Sequence, residues 1–303
     1  MNTPEPSEQE DSSGSSIYRR FFFVVLLCLA CAVIAAVFAT QQWNMFKPRS
    51  RPTSMQATTA WFGPSPSFSG DNSTPSATGS KHLSIVTLGD SVPAGMACDC
   101  DTYSQQVAQA LSRRHNRTAG LVNLALGGAR SSDIVAQLAT PQPRADITNA
   151  DLVLLQVGAN DFNPEQIEEC ANNLDGCYGA DLTRLRRNIS SLTDEISRIS
   201  NYRAKIAVIG YWNVFPDGKV GSHYGEGYLR ASDRLTRKVN AALREAAGKN
   251  GQFIDAYTPI KGKNGKKDPT SKLAPDGDHL DASGHTALAK AVLATLGPSF
   301  AAG

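Results

Sequence analysis

Leu83-Ser84-Ile85-Val86-Thr87-Leu88-Gly89-Asp90-Ser91-Val92-Pro93-Ala94-Gly95 joins an apolar run to a turn, and the rest of the chain is read outward from it. The run from Leu83 to Leu88 is short, apolar and rich in β-branched side chains, which reads as a buried strand. The Gly-Asp-Ser that follows sets a hydroxyl at the strand's carboxyl end, the edge at which open α/β sheets hold their ligands. Ser91 is therefore read as a nucleophile. A helix cap supplied by Asp90 or Ser91 is the competing reading. Position 93 is proline, so the stretch is not a Gly-x-Ser-x-Gly elbow, and later segments must decide.

Downstream, apolar runs alternate with amphipathic segments, the pattern of a parallel sheet covered by helices. Strands are expected at 83–88, 121–125, 152–157, 205–210 and 252–254. Between the third and fourth, Leu182, Leu185, Ile189, Leu192, Ile196 and Ile199 recur at alternating steps of three and four, one face of a long helix. A second helix from about Tyr228 to Ala247 turns Leu235, Val239, Ala242 and Ala246 inward and its arginines largely outward. The last helix begins with Asp281 as N-cap and stops at Gly297-Pro298. The expected fold is a three-layer α/β/α sandwich with a five-stranded parallel, flavodoxin-like sheet.

Three further segments fall at strand ends. Asn123-Leu124-Ala125-Leu126-Gly127-Gly128 follows the second strand, where glycine lets backbone amides approach a ligand, although a plain turn before a helix cap has the same composition. Gln156-Val157-Gly158-Ala159-Asn160-Asp161 follows the third and places an Asn amide, a neutral donor for a developing oxyanion, at the same edge as Ser91. Asp276-Gly277-Asp278-His279 precedes the last helix. There Asp276 can turn back to hold the imidazole in the tautomer that accepts a proton from serine, with Asp278 as the rival orienting group.

Gly-Asp-Ser, Asn-x3-Gly-Gly, Gly-x-Asn-Asp and Asp-x-x-His, in that order over 83–296, resemble the four blocks of the SGNH, or GDSL, hydrolases. The resemblance implies Ser91 as nucleophile, His279 as general base and acid, and Asp276 as its partner. It also implies an oxyanion hole made by the amides of Ser91 and Gly128 and the side chain of Asn160. Secreted or membrane-anchored actinobacterial members are most similar, through the cysteines after the first block and Gly210-Tyr211-Trp212-Asn213-Val214-Phe215 after the fourth strand. Two departures stand out: Val92 replaces the family's leucine, and 162–180 is an inserted segment beside the site, which bears on substrate preference. Trp212, Tyr224 and Tyr228 could wall an acyl or sugar pocket or pack structurally.

The 303 residues, 41% of them hydrophobic, suffice for one full-sized domain plus an appendage, and 30 basic against 28 acidic residues are too even for a nucleic-acid partner. Residues 1–20 read as a cytoplasmic tail ending in Arg19-Arg20. The 19 residues Phe21–Ala39 carry no charge or polar amide and would span ~28 Å as a helix, so 21–40 reads as a signal anchor. Secretion after cleavage near Val37-Phe38-Ala39 is the alternative. Residues 41–80 contain 21 Ser, Thr, Pro or Gly and read as a disordered linker, with the hydrolase domain at 81–303.

Arg19 and Arg20 before the stretch face Lys47, Arg49 and Arg51 after it, so the charge count slightly favours the opposite orientation, whereas Cys98, Cys100, Cys170 and Cys177 argue for an extracytoplasmic domain. Cys-x-Cys with Cys-x6-Cys is not a usual structural-zinc spacing, so two disulfides are expected, paired between the clusters rather than within Cys98-Asp99-Cys100. The expected activity is hydrolysis of a small-molecule, lipid or acylated-glycan ester through an acyl-enzyme, with no metal or organic cofactor. An envelope O-acyltransferase using the same residues is one alternative. A non-catalytic domain holding an anionic polymer on the basic loop 261–267 is another.

Overall fold

The computed structural model describes residues 82–297 and Phe300. The expected tail, anchor and linker lie outside these residues, and among the described ones no helix is long and apolar enough to cross a membrane. Five strands, β1 (His82–Gly89), β2 (Thr118–Asn123), β3 (Leu152–Gln156), β4 (Lys205–Ile209) and β5 (Gln252–Ile254), form one sheet in the order β2-β1-β3-β4-β5. Every pairing is parallel.

Side chains alternate across the three central strands. Leu83, Ile85, Leu152, Leu154, Ala207 and Ile209 enter one core, and Val86, Leu88, Val153, Leu155, Ile206 and Val208 enter the other. This two-sided burial explains why these strands read as continuous apolar runs. The first core is closed by α2 (Tyr103–His115), α8 (Tyr257–Lys261) and α9 (Ala282–Leu296). The second is closed by α3 (Ser131–Gln137), α4 (Pro141–Thr148), α5 (Leu174–Ile199) and α7 (Gly225–Ala247). Two further short helices, α1 (Ser91–Ala94) and α6 (Gly218–Ser222), sit near the sheet's carboxyl edge and take their caps from Asp90 and Asp217. The expected three-layer architecture is the observed one.

Two expectations shift. The second strand begins three residues earlier than expected and ends at Asn123, because the edge strand carries the polar, partly exposed Thr118-Ala119-Gly120 that hydropathy passes over. The disulfides join Cys98 to Cys100 and Cys170 to Cys177, within each cluster and not between clusters. The second pair ties Cys170, at the end of the insert's short helical turns, to the first turns of α5, so its local spacing sets the pairing.

Candidate active site

The carboxyl ends of β1 and β3 lie in register, Gly89 beside Gln156, so the loops leaving them are neighbours. Gly89 has φ +151°, and a Cβ there would fall 2.0 Å from the Gln156 carbonyl oxygen. Only glycine permits that approach. Asp90 then caps α1, accepting from the Val92 amide at 3.2 Å, and Ser91 opens the helix. The cap reading is realised by Asp90, and Ser91 takes the first position of the helix beside it.

Ser91 lines a cavity of about 30 Å³ with Asn160, His279, Tyr211, Asp278 and neighbouring residues. His279 Nδ1 lies 2.7 Å from Asp276 Oδ2, while Asp276 Oδ1 accepts from the amides of Asp278 (2.9 Å) and His279 (3.0 Å). Burial raises the Asp276 pKa, but these two amides and the imidazole outweigh it and hold the carboxyl below its ordinary range. A carboxylate on Nδ1 keeps the proton there, leaving the Nε2 lone pair, which is buried and has no partner, free to accept one.

Asp278, the rival orienting group, does not pair with His279. It faces the cavity instead, and burial raises its pKa. Its amide is what Asp276 uses.

The oxyanion candidates are held by separate anchors. Asn160 donates one amide hydrogen to the Ala129 carbonyl at 3.0 Å, leaving the other for a ligand. Gly128 has φ +77° with open space around its Cβ position, so it takes its left-handed turn without crowding the approach. The loop between them is fixed by Asp161, whose carboxylate accepts from the Ser131 amide (2.9 Å) and hydroxyl (2.6 Å). Asn123 plays no direct part: its side-chain amide donates to the Pro93 carbonyl at 2.8 Å and laces the second loop to the first. Ser91, His279 and Asn160 thus bring a hydroxyl, an imidazole with an unpartnered Nε2 and a side-chain amide to one cavity, while Gly128 lines the adjoining hollow with Asn160.

The description "GDSL-like Lipase/Acylhydrolase family" matches residues 87–287, from the end of β1 to within α9. The chain belongs to this family. GDSL-like hydrolases cleave ester bonds, and this chain is an ester-hydrolysing enzyme of that kind. Among solved structures, a lipase from a goat rumen metagenome, Lip_vut3, superposes with a TM-score of 0.58 at 19% identity, over 70% of this chain and 97% of its own. An acetylxylan esterase from Geobacillus stearothermophilus superposes at 0.51 and 17% identity, over 74% of this chain and 98% of its own. At such identities the likeness shows the shared fold. No curated protein matches the chain.

Sequence reasoning left several members of this GDSL-like site unassigned. Tyr211 donates from its hydroxyl to Asp90, a buried contact across 121 positions that no local motif signals. Burial pushes the Asp90 carboxyl up to about 7, against the lowering effect of Tyr211 and the Val92 amide. Trp212, left open between pocket wall and packing, is 1% exposed and belongs to the core while touching the cavity. Outside the cavity, Lys261, read as part of a basic loop, is buried, with its ammonium 2.7 Å from Asp217 and 2.9 Å from Asp233.

Proposed function

We propose that the chain is a serine esterase in which Ser91 forms an acyl-enzyme. His279 Nε2 takes the Ser91 proton as Oγ bonds to the ester carbonyl carbon. The resulting oxyanion is held by the amides of Ser91 and Gly128 and the free amide hydrogen of Asn160. As the tetrahedral intermediate collapses, the bond to the alcohol oxygen breaks and the imidazolium returns its proton to that oxygen. Water then attacks the acyl carbon while His279 takes its proton, and Ser91 Oγ leaves with that proton to release the acid. Asp276 stays ionised and holds the ring.

The observation that carries this reading is the 2.7 Å contact of Asp276 with His279, whose Nε2 is unpartnered and whose ring lines one cavity with Ser91 and Asn160. The location we propose is extracytoplasmic, behind an N-terminal anchor at 21–40. The 19-residue apolar stretch and the two disulfides support it.

The test is hydrolysis of p-nitrophenyl acetate, butyrate and palmitate by the full chain beside Ser91→Ala. The expected result is turnover by the parent and its loss, by about 10³-fold or more, in the variant. Equal rates from parent and variant would assign the hydrolysis to another group.

A further inference from the structure

Beyond the small cavity at Ser91, two larger hollows follow in series. The first, about 470 Å³, starts at Gly128 and Asn160 and carries Arg130, Asn163 and Asp278 on its walls. The second, about 420 Å³, is bounded by Ile167, Tyr224 and Tyr228, with Glu165 and Glu168 also lining it. Pro164 and Pro216 line both, so the two share a wall and read as one groove leading away from the oxyanion donors.

The groove is built rather than incidental. One wall is the insert at 162–180, pinned by the Cys170–Cys177 disulfide and by the Tyr178 hydroxyl, which donates to the Asn163 carbonyl at 2.7 Å. Arg234 of α7 secures it again by donating to the Ala171 carbonyl. The other wall is 214–228. There buried Tyr228 donates to the Pro216 carbonyl at 3.2 Å, and the Tyr224 ring packs 4.8 Å from the Tyr228 ring while staying 56% exposed.

We infer that this groove binds the alcohol portion of the ester as a neutral oligosaccharide, with Tyr224 as the platform of a sugar subsite distal to the scissile bond. The inference rests on the esterase reading above. The order of polarity along the groove chooses a sugar chain over an acyl chain. An acyl chain leaving the reaction centre would lie across Arg130, Asn163 and Asp278 and strip them of water without replacing their hydrogen bonds. Sugar hydroxyls replace those bonds. Farther out, a flat phenol ring offers an apolar face to the C–H face of a pyranose, and Glu165 and Glu168 accept from its hydroxyls. The same two carboxylates disfavour a phosphate or uronate at the distal end, which points to an uncharged sugar beside Tyr224. Tyr224 touches the distal sugar and not the reacting atoms, so it sets specificity.

The test compares kcat/KM of the full chain on acetylated xylo-, cello- and manno-oligosaccharides with that on the matching monosaccharide acetates and on p-nitrophenyl acetate and palmitate. For at least one backbone the tetrasaccharide is expected to exceed its monosaccharide acetate by about tenfold, the size of one aromatic contact. Tyr224→Ala should remove most of that advantage, mainly through KM, and Tyr224→Phe should keep it. Circular dichroism of both variants controls for folding.

The inference is overturned if p-nitrophenyl acetate is turned over while chain length has no effect on any backbone. It is also overturned if palmitate is preferred and Tyr224→Ala lowers the palmitate-to-acetate ratio, which makes the groove an acyl site. If the folded parent hydrolyses none of these esters, the esterase reading itself fails, and this inference with it.

Discussion

Asp90 and His285 are both 1% exposed, and burial moves their pKa values in opposite directions. Asp90 rises to about 7, so the folded protein holds that proton more tightly than the unfolded chain does. Its contribution to stability therefore falls as pH rises from the ordinary aspartate value of 3.8 toward 7, by on the order of 4 kcal/mol. His285 drops to about 4, so the folded protein holds its proton less tightly and stability rises from about 4 to 6.5. Across that window the two nearly cancel. Asp90→Asn keeps an acceptor for Tyr211 and Val92 but removes one side of the balance. Its urea midpoint should climb with pH between 4 and 6.5 more steeply than that of the parent, and the parent's further decline toward pH 7 should disappear. Superimposable profiles would show that Asp90 does not titrate as its burial implies.

The same scale separates Asp276 from Asp278. Asp276→Asn leaves the imidazole without an anionic partner and should lower kcat by about 10²–10⁴, and Asp278→Asn should cost far less. A larger loss from Asp278 would reverse the assignment. At this scale the proposed groups could be read from sequence, since Gly-Asp-Ser, Gly-x-Asn-Asp and Asp-x-x-His are local patterns. The Asp90 contact with Tyr211 was not legible, because it joins distant segments.

At the scale of elements, hydropathy located β1, β3, β4 and β5 to within a residue or so because they, or for β5 its inner end, are packed into the core. It failed at β2, whose start is polar and at the sheet's edge. Gly89 states the opposite kind of constraint, one that sequence names without explaining. Its missing Cβ is what lets β1 end against β3, so Gly89→Ala should destabilise the domain by about 3 kcal/mol or more and be seen as a lowered thermal midpoint.

The disulfide pairing was misjudged because the short helical turns that bring Cys170 back to the start of α5 leave no hydropathy signal in the sequence. Trypsin can test it directly: peptides 82–113 and 145–184 contain no internal Lys or Arg, and each holds one pair. Without reductant each should appear as a separate linear peptide lighter by two hydrogens. A cross-linked species of the two would restore the pairing between clusters. Breaking Cys170–Cys177, which closes a loop of sequence separation 7, should cost about 2.5 kcal/mol by loop entropy.

Across the whole molecule, the candidate site depends on how far-separated segments are held together, and the buried cation Lys261 is one such tie. Its ammonium joins Asp217, at the start of α6, to Asp233 of α7. Asp217 in turn accepts from the Asn213 side chain at 3.0 Å, and its backbone amide donates to the Gly277 carbonyl at 2.7 Å. Gly277 follows Asp276, so the network reaches the loop that carries His279. That loop is held a second time by the Ala274 amide, which donates to the His279 carbonyl at 2.9 Å. None of this was visible in a sequence where Lys261 looks like the first residue of a basic loop.

Lys261→Met fits the stem but leaves two carboxylates facing each other with little water, and should cost about 3–5 kcal/mol. Because one of them anchors the His279 loop, kcat should fall as well, in a protein still folded at low temperature. Adding Asp217→Asn removes one uncompensated charge, so the double variant should lose less stability than the two single losses combined. Additive losses would mean that the pair is not coupled. A Lys261→Met protein with unchanged kcat would mean that the second tie, through Ala274, holds the loop by itself.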